Sequence, residues 1–155
     1  MKYIIEQAKL EDAKEIDNML TSLIQDEREN YDKNINKNYE VKNFYEKYID
    51  NKDSCILVAK ANNQILGYVY GFIQNNGQVF NTKKAQLDAI FVKKECRGNG
   101  IAKSLIQELT KWANKEGATY IELSVCKENE KARNLYTNNG FQEEKLILRK
   151  KITPI

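Results

Sequence analysis

The stretch of this 155-residue chain best suited to chemistry is Arg97-Gly98-Asn99-Gly100-Ile101-Ala102, which stands between a strand pattern and a helix pattern. A short loop that opens a helix directs unpaired backbone N–H groups outward. The helix dipole adds positive charge at the same end, so phosphate oxygens suit the place. Gly98 and Gly100 let backbone approach a ligand with no Cβ in the way, and Ala102 keeps the next position small. The same letters also describe a plain glycine-bearing turn. Two familiar phosphate motifs fail here. A P-loop needs glycine where Arg97 and Ala102 stand, despite the suggestive Lys103-Ser104, and a dinucleotide fingerprint needs a small residue at Lys103. Both also expect a parallel sheet, whereas hairpin signals join the strand patterns before this loop.

Other chemistries are removed by what the chain lacks. It has no histidine, which eliminates Ser-His-Asp and Cys-His mechanisms and histidine-containing zinc sites. Cys55, Cys96 and Cys126 are odd in number and far apart, so they form neither a CxxC metal motif nor an evident disulfide framework, and reduced thiols and no metal are expected. With 25 basic against 22 acidic side chains, the net charge of +3 gives no support to general nucleic-acid binding. No apolar run approaches the roughly 20 residues of a membrane helix. The expectation is a soluble cytoplasmic protein with neither a nucleic-acid nor a membrane partner.

The elements that must position the loop are legible as periodicities. Tyr3-Ile4-Ile5 predicts a strand, and Leu10, Ala13, Ile16, Leu20, Leu23 and Ile24 recur at helical spacing. Residues 27–39 are polar and asparagine-rich, which predicts a loop, and Val41, Phe44, Tyr45, Tyr48 and Ile49 predict a short helix. Strands 55–59 and 65–73 flank Asn62-Asn63, a pair that tolerates the positive φ of a tight hairpin. Asn75-Asn76-Gly77 is a second turn, and 85–92 reads as a central strand. After the glycine loop, Ile101, Leu105, Ile106, Leu109 and Trp112 form one helix face that stops near Gly117. A strand at 120–125 follows this helical crossover and is therefore expected to lie parallel to 85–92. A last helix spans 130–138, with strands around Phe141 and at 146–148, and Pro154, at the tail, interrupts nothing. Length and content suit one domain over 1–155.

The R/Q-x-x-G-x-G/A pattern of the GNAT superfamily of N-acetyltransferases resembles this chain at Arg97, Gly100 and Ala102. Leu87-Asp88-Ala89-Ile90-Phe91-Val92 precedes the loop at the expected distance. Asn129, Ala132, Tyr136 and Gly140-Phe141 are similar to the later N-x-x-A-x-x-x-Y-x-x-x-G-F signature. The resemblance implies an α/β (α+β) single-domain fold. Its mixed, mostly antiparallel twisted sheet would be flanked by about four helices, with a parallel strand pair forming an acetyl-CoA cleft. It also implies acetyl transfer from acetyl-CoA to a primary amine by direct attack. A small cationic amine is the first expectation; a protein or peptide N-acetyltransferase and a non-catalytic acetyl-CoA sensor are the alternatives. Dimers are common among such enzymes, so a homodimer is compatible.

By the same resemblance, backbone from Gly98, Asn99, Gly100, Ile101 and Ala102 to Lys103 would hold the pyrophosphate, with Arg97 nearby. Backbone groups around Ile90, Phe91 and Val92 would pair with the pantetheine, and Asn129 would contact cofactor or water unless it simply caps the helix at Glu130. Tyr136 takes the role of general acid beside the cofactor. Relatives with a carboxylate base on the strand before the loop carry it where Gln86 stands here, and an amide cannot serve. Asp88, two residues on and on the same strand face, is the first candidate base, with Glu122 second. A covalent acetyl-cysteine at Cys96 or Cys126 would lack a histidine to activate it. The acidic run from Glu11 to Asp32 is a candidate acceptor wall or a solvated helix face, and Tyr31, Tyr39, Phe44 and Tyr45 either line it or pack.

Overall fold

A hairpin whose turn is set by two asparagines starts the sheet. Asn62 and Asn63 both adopt positive φ, 50° and 61°, which matches the right-handed twist of the strands they join. The computed structural model describes residues 1–153, so Pro154 lies outside the described residues. The strands are β1 (Ile4–Gln7), β2 (Ser54–Ala61), β3 (Gln64–Ile73), β4 (Lys84–Val92) and β5 (Tyr120–Glu122), and they lie side by side in chain order. Neighbours from β1 to β4 are antiparallel, and β4 and β5 are parallel, as the crossover through α2 (Ile101–Lys115) requires.

Strands β2 and β3 are buried along almost their whole length because both faces of the sheet are covered. On one face, α2 inserts Leu105, Ile106 and Leu109 against Leu57, Val69 and Leu87. On the other, α1 (Ala13–Asn30) and residues 41–49 pack Ile16, Met19 and Tyr45 against Val58, Tyr68 and Tyr70. Leu105 and Ile16 are fully buried, each worth about 1.5–3 kcal/mol relative to exposure. The third helix, α3 (Glu130–Asn138), follows β5. Among the described residues no helix is long and apolar enough to cross a membrane.

Four expectations need correction. Residues 41–49 form only a 3₁₀ turn, Tyr45–Lys47, because Asn43 adopts φ 54° and the buried Asp17 carboxylate accepts the N–H groups of Phe44 and Tyr45, at 3.4 and 3.1 Å. The flanking helices therefore number three among the described residues, not about four. The strand expected over 120–125 ends at Glu122, where its pairing with β4 ends. Residues 141–153 form neither of the two expected strands.

Close backbone approach between β3 and β4 explains Gly67, where an added Cβ would sit 2.6 Å from the Phe91 carbonyl oxygen and 3.1 Å from Val92 Cα. Gly67→Ala should lower stability by about 1–3 kcal/mol, read by urea unfolding. An unchanged midpoint would refute this packing.

Candidate active site

Strand β4 carries the site because each of its edges changes character at the same level. Toward β3, Tyr70 faces Ala89 and Gly71 faces Leu87, so Asp88 is an extra residue with no partner. The bulge turns Leu87 toward α2 and Ala89 toward α1. Toward β5, pairing covers only Lys84, Ala85 and Gln86, and from Leu87 onward that edge is open. The Lys93 N–H donates to the Leu66 carbonyl at 2.9 Å, so alternation turns the backbone groups of Val92 and Ile90 toward the open edge. The Val92 carbonyl there accepts Arg97 Nε at 2.8 Å.

The open edge leads to the glycine loop. Gly98 and Gly100 have φ of 80° and 76°, the left-handed region that a side chain resists. Asn99 braces the loop by donating from Nδ2 to the Cys96 carbonyl at 2.9 Å. The first bond of α2 runs from the Ser104 N–H to the Gly100 carbonyl at 3.0 Å. Among the described residues, therefore, the amides of Gly98, Asn99, Gly100, Ile101, Ala102 and Lys103 have no backbone acceptor. A Cβ on Gly98 would meet nothing within 4 Å, so glycine here keeps open the space that these amides border. Tyr3 and Ser104 hydroxyls, 2.8 Å apart, tie the start of α2 to the residue just before β1. The residues fit a pyrophosphate: a row of unpaired donors at a helix N-terminus, with space before them.

Of the basic residues nearby, Lys93 pairs with Glu15 at 3.0 Å, and Arg97 stacks 5.6 Å from the Phe91 ring with Asp26 at 3.9 Å. Glu15, Ser22, Asp26, Phe91, Lys93 and Lys94 line a cleft of about 480 Å³ between α1 and the end of β4.

The second signature is also assembled. Asn129 Oδ1 accepts the Ala132 N–H at 3.1 Å and so caps α3. Gly140, at φ 90°, turns the chain so that the Phe141 N–H donates to the Tyr136 carbonyl at 3.0 Å, and the two rings meet edge to face at 5.7 Å. Tyr136 leans on the core beneath α2, and burial pushes its phenol up to about 12.

The two candidate bases are in different states. Glu122 is occupied: Gln74 Nε2 donates to it at 3.1 Å and to Gln86 Oε1 at 2.9 Å, and Lys84 and Lys145 lie at 3.7 and 3.9 Å. Asp88 is an exposed residue that makes no hydrogen bond or ion pair among the described residues, and partial desolvation against the bulge raises its carboxyl above the usual range. Its charge also raises the phenols of Tyr45, Tyr68 and Tyr70, whose chief cause of elevation is burial. The Tyr45 and Tyr68 hydroxyls pair with each other at 2.9 Å.

Cysteine chemistry is disfavoured. Cys96 is buried, and Cys126 donates to Glu27 Oε1 at 3.2 Å, with burial and that carboxylate pushing its thiol up to about 11. The acidic run is dispersed: Asp12 binds Lys60 at 2.9 Å, Asp17 anchors the 3₁₀ turn, Asp32 pairs with Arg149 at 3.5 Å, and only Glu15 and Asp26 of that run line the cleft. Tyr45 is core, and Tyr31 and Tyr39 are exposed. Sequence reasoning found neither the anchoring role of Asp17 nor the Tyr45–Tyr68 pair, and no local letter pattern announces a contact across 28 or 23 positions.

The family model of the acetyltransferase (GNAT) family matches residues 18–141. The chain belongs to this family. An uncharacterised N-acetyltransferase of Methanocaldococcus jannaschii is 32% identical over 96 residues, covering 61% of this chain and 56% of the relative. The chain spans about half the length of the curated relatives it matches first, 56% and 52%. Among solved structures, a tetramutant of a Bacillus halodurans protein superposes with a TM-score of 0.85 at 19% identity, covering 96% of this chain and 99% of that one. An aminoglycoside acetyltransferase from an uncultured soil metagenomic sample gives a TM-score of 0.74 at 17% identity, covering 98% and 96%. At these identities the two structures establish the fold. The sheet and its single parallel pair are those expected of the family.

Because the phenol of Tyr136 is raised in the folded chain to about 12, against about 10 when unfolded, the folded state keeps a proton that the unfolded state releases. Its contribution is present below pH 10 and is lost as pH rises toward 12. Between those values wild-type stability should fall more steeply than that of Tyr136→Phe, followed by denaturant unfolding at stepped pH. Parallel profiles would contradict the burial of this phenol.

Proposed function

We propose that this family member transfers an acetyl group from acetyl-CoA to the primary amine of a small cationic acceptor by direct attack. The observation that carries the reading is the open edge of β4, which runs from the unpaired amides of the glycine loop to the bulge at Asp88. In this reading the amides from Gly98 to Lys103 bind the pyrophosphate, and the backbone of Ile90 and Val92 adds to the pantetheine as a strand edge does.

Bound acetyl-CoA supplies an activated thioester; the chain supplies positioning and proton transfer. Asp88 takes a proton from the incoming ammonium, directly or through water. A carboxyl raised by desolvation is the better base, and with no lysine holding it, Asp88 is preferred to Glu122. Tyr136 donates to the departing sulfur. Its phenol stays protonated at neutral pH, and the apolar surroundings that raise it also disfavour a bare thiolate. Glu15 and Asp26 line the cleft beside Lys93 and Arg97, so a cationic acceptor would compete with those two side chains for the same carboxylates. Asn129 is assigned to the cap of α3.

Purified protein with acetyl-CoA and a panel of polyamines, aminoglycosides and lysine-containing peptides, followed by thiol release, tests this. Turnover is expected on small polycationic amines. Tyr136→Phe and Asp88→Asn should each lower kcat by about 10²-fold while coenzyme A binding, measured by calorimetry, is retained. Absence of coenzyme A binding would overturn the reading. Binding without any turnover would identify a sensor, and turnover on peptides alone would move the acceptor to the protein class.

A further inference from the structure

Helix α2 begins with less support than a helix start ordinarily has. Its N-cap is Gly100, which carries no side chain to accept an amide, and no acidic residue stands in its first turn. Ile101, 2% exposed, presses that turn onto the core, but apolar contact is non-directional and does not fix where the free N–H groups aim. The loop before it is held on its strand side, where Asn99 Nδ2 donates to the Cys96 and Arg97 carbonyls at 2.9 and 3.3 Å.

The helix side is held from the far end of the chain. Ser104 carries the N–H that makes the first bond of α2, so it is the last fixed point after the row of free amides. Its Oγ lies 2.8 Å from the hydroxyl of Tyr3, 101 positions earlier. Among the described residues this is the only side-chain hydrogen bond that residues 101–104 make. Tyr3 stands one residue before the first rung of β1 with β2, Ile4 with Lys60, and its ring packs against the cluster that holds Ile101 and Leu105. Its hydroxyl oxygen is also what a Cβ on Gly100 would meet, at 3.9 Å. One hydroxyl pair therefore stands beside both the N-cap and the fourth residue of the helix.

We propose that Tyr3 and Ser104 are positioning residues for the diphosphate of the donor: their hydroxyl pair sets the tilt of the first turn of α2, and with it the aim of the amides from Gly98 to Lys103. This rests on the acetyl-CoA reading above. Where a helix has a capping side chain, the cap itself holds the first turn. Here the ligand's phosphates take the capping place. Before they arrive, a terminal turn whose amides lack intrahelical partners frays unless something outside the helix holds it. Ordering those amides in advance lowers the cost of ordering them at binding, so the pair contributes to donor affinity and not to the transfer step. It contributes nothing to a donor that has no diphosphate. The rest of α2 does not need it, because the buried side chains of Leu105, Ile106 and Leu109 keep the helix on the sheet.

Tyr3→Phe keeps the ring and removes the hydroxyl, and Ser104→Ala removes its partner. Each should weaken coenzyme A binding, read by calorimetry, and raise KM for acetyl-CoA by about 3–10-fold with kcat unchanged. The double variant should lose no more than either single one. S-acetylpantetheine, which carries the thioester without the diphosphate, should be used equally well by the wild type and both variants. Ser104→Thr, which keeps a hydroxyl, should bind coenzyme A as the wild type does. In hydrogen exchange the amides of residues 104–106, which bond to the first turn, should open faster in Tyr3→Phe, and saturating coenzyme A should remove the difference. Unchanged affinity in both single variants, additive losses, or an equal loss on the truncated donor would overturn the proposal and leave the acetyl-CoA reading in place. A wild-type protein that binds coenzyme A no better than pantetheine would overturn both. Should Tyr3→Phe not fold, Ser104→Ala against Ser104→Thr decides.

Discussion

Everything at the candidate site depends on one strand being unable to keep both partners. β4 is paired with β3 as far as Val92, but with β5 only as far as Gln86. The two neighbours differ in kind: the antiparallel one is delivered by a short connection, the parallel one by the crossover helix α2, which must begin beyond the end of β4 and return. A bulge at Asp88 raises the local twist of β4 at the level where the parallel pairing stops. Backbone that would be sealed inside a continuous sheet becomes an available edge, with the helix N-terminus at its far end. A β-edge and an unpaired helix start offer the same thing, backbone hydrogen-bonding groups without backbone partners. An elongated ligand with amides at one end and phosphates at the other matches that order.

Stability elsewhere keeps this edge from collapsing. α2 and the α1 layer hold β2 and β3 in burial on both faces, so β4 is fixed from its closed side. The α1 layer is knit by Asp17, whose buried carboxylate replaces the helix that residues 41–49 do not form. Its two backbone donors satisfy the charge that burial would otherwise penalise by several kcal/mol. That anchor seats Tyr45 against Tyr68, and through them sets the aromatic surface next to the bulge.

What the sequence disclosed follows from the range of the interactions involved. The Asn62-Asn63 hairpin, the glycine loop, the face of α2 and the cap at Asn129 are decided within a few residues, and each was readable from local chemistry. The parallel direction of β5 was readable because crossover handedness and length constrain it. Residues 41–49 misled because their apolar spacing is helical, while a carboxylate 27 positions away overrides it. The early end of β5 and the bulge arise from strand register, which no single segment encodes. The tail misled in the same way: residues 146–148 have a strand's composition, but a strand forms only where an edge pairs with it, and composition does not report that.

The bulge also bears on the departure from the family pattern at Gln86. In a regular strand Asp88 would be two residues further along and still on the face of Gln86, but displaced by about 6.6 Å. A bulge shortens the advance and re-aims the extra residue, so a carboxylate at Asp88 need not act from where a regular strand would put it. Meanwhile Gln86 is not idle: its amide oxygen shares Gln74 with Glu122, which ties β3, β4 and β5 together at the last rung before they part. A carboxylate at position 86 would face Glu122 across that rung, and the like charges would oppose each other within one hydrogen-bonded cluster. Glutamine at 86 and aspartate at 88 therefore make one consistent arrangement, in which the charge is moved off the rung that closes the sheet and onto the residue that the opening exposes.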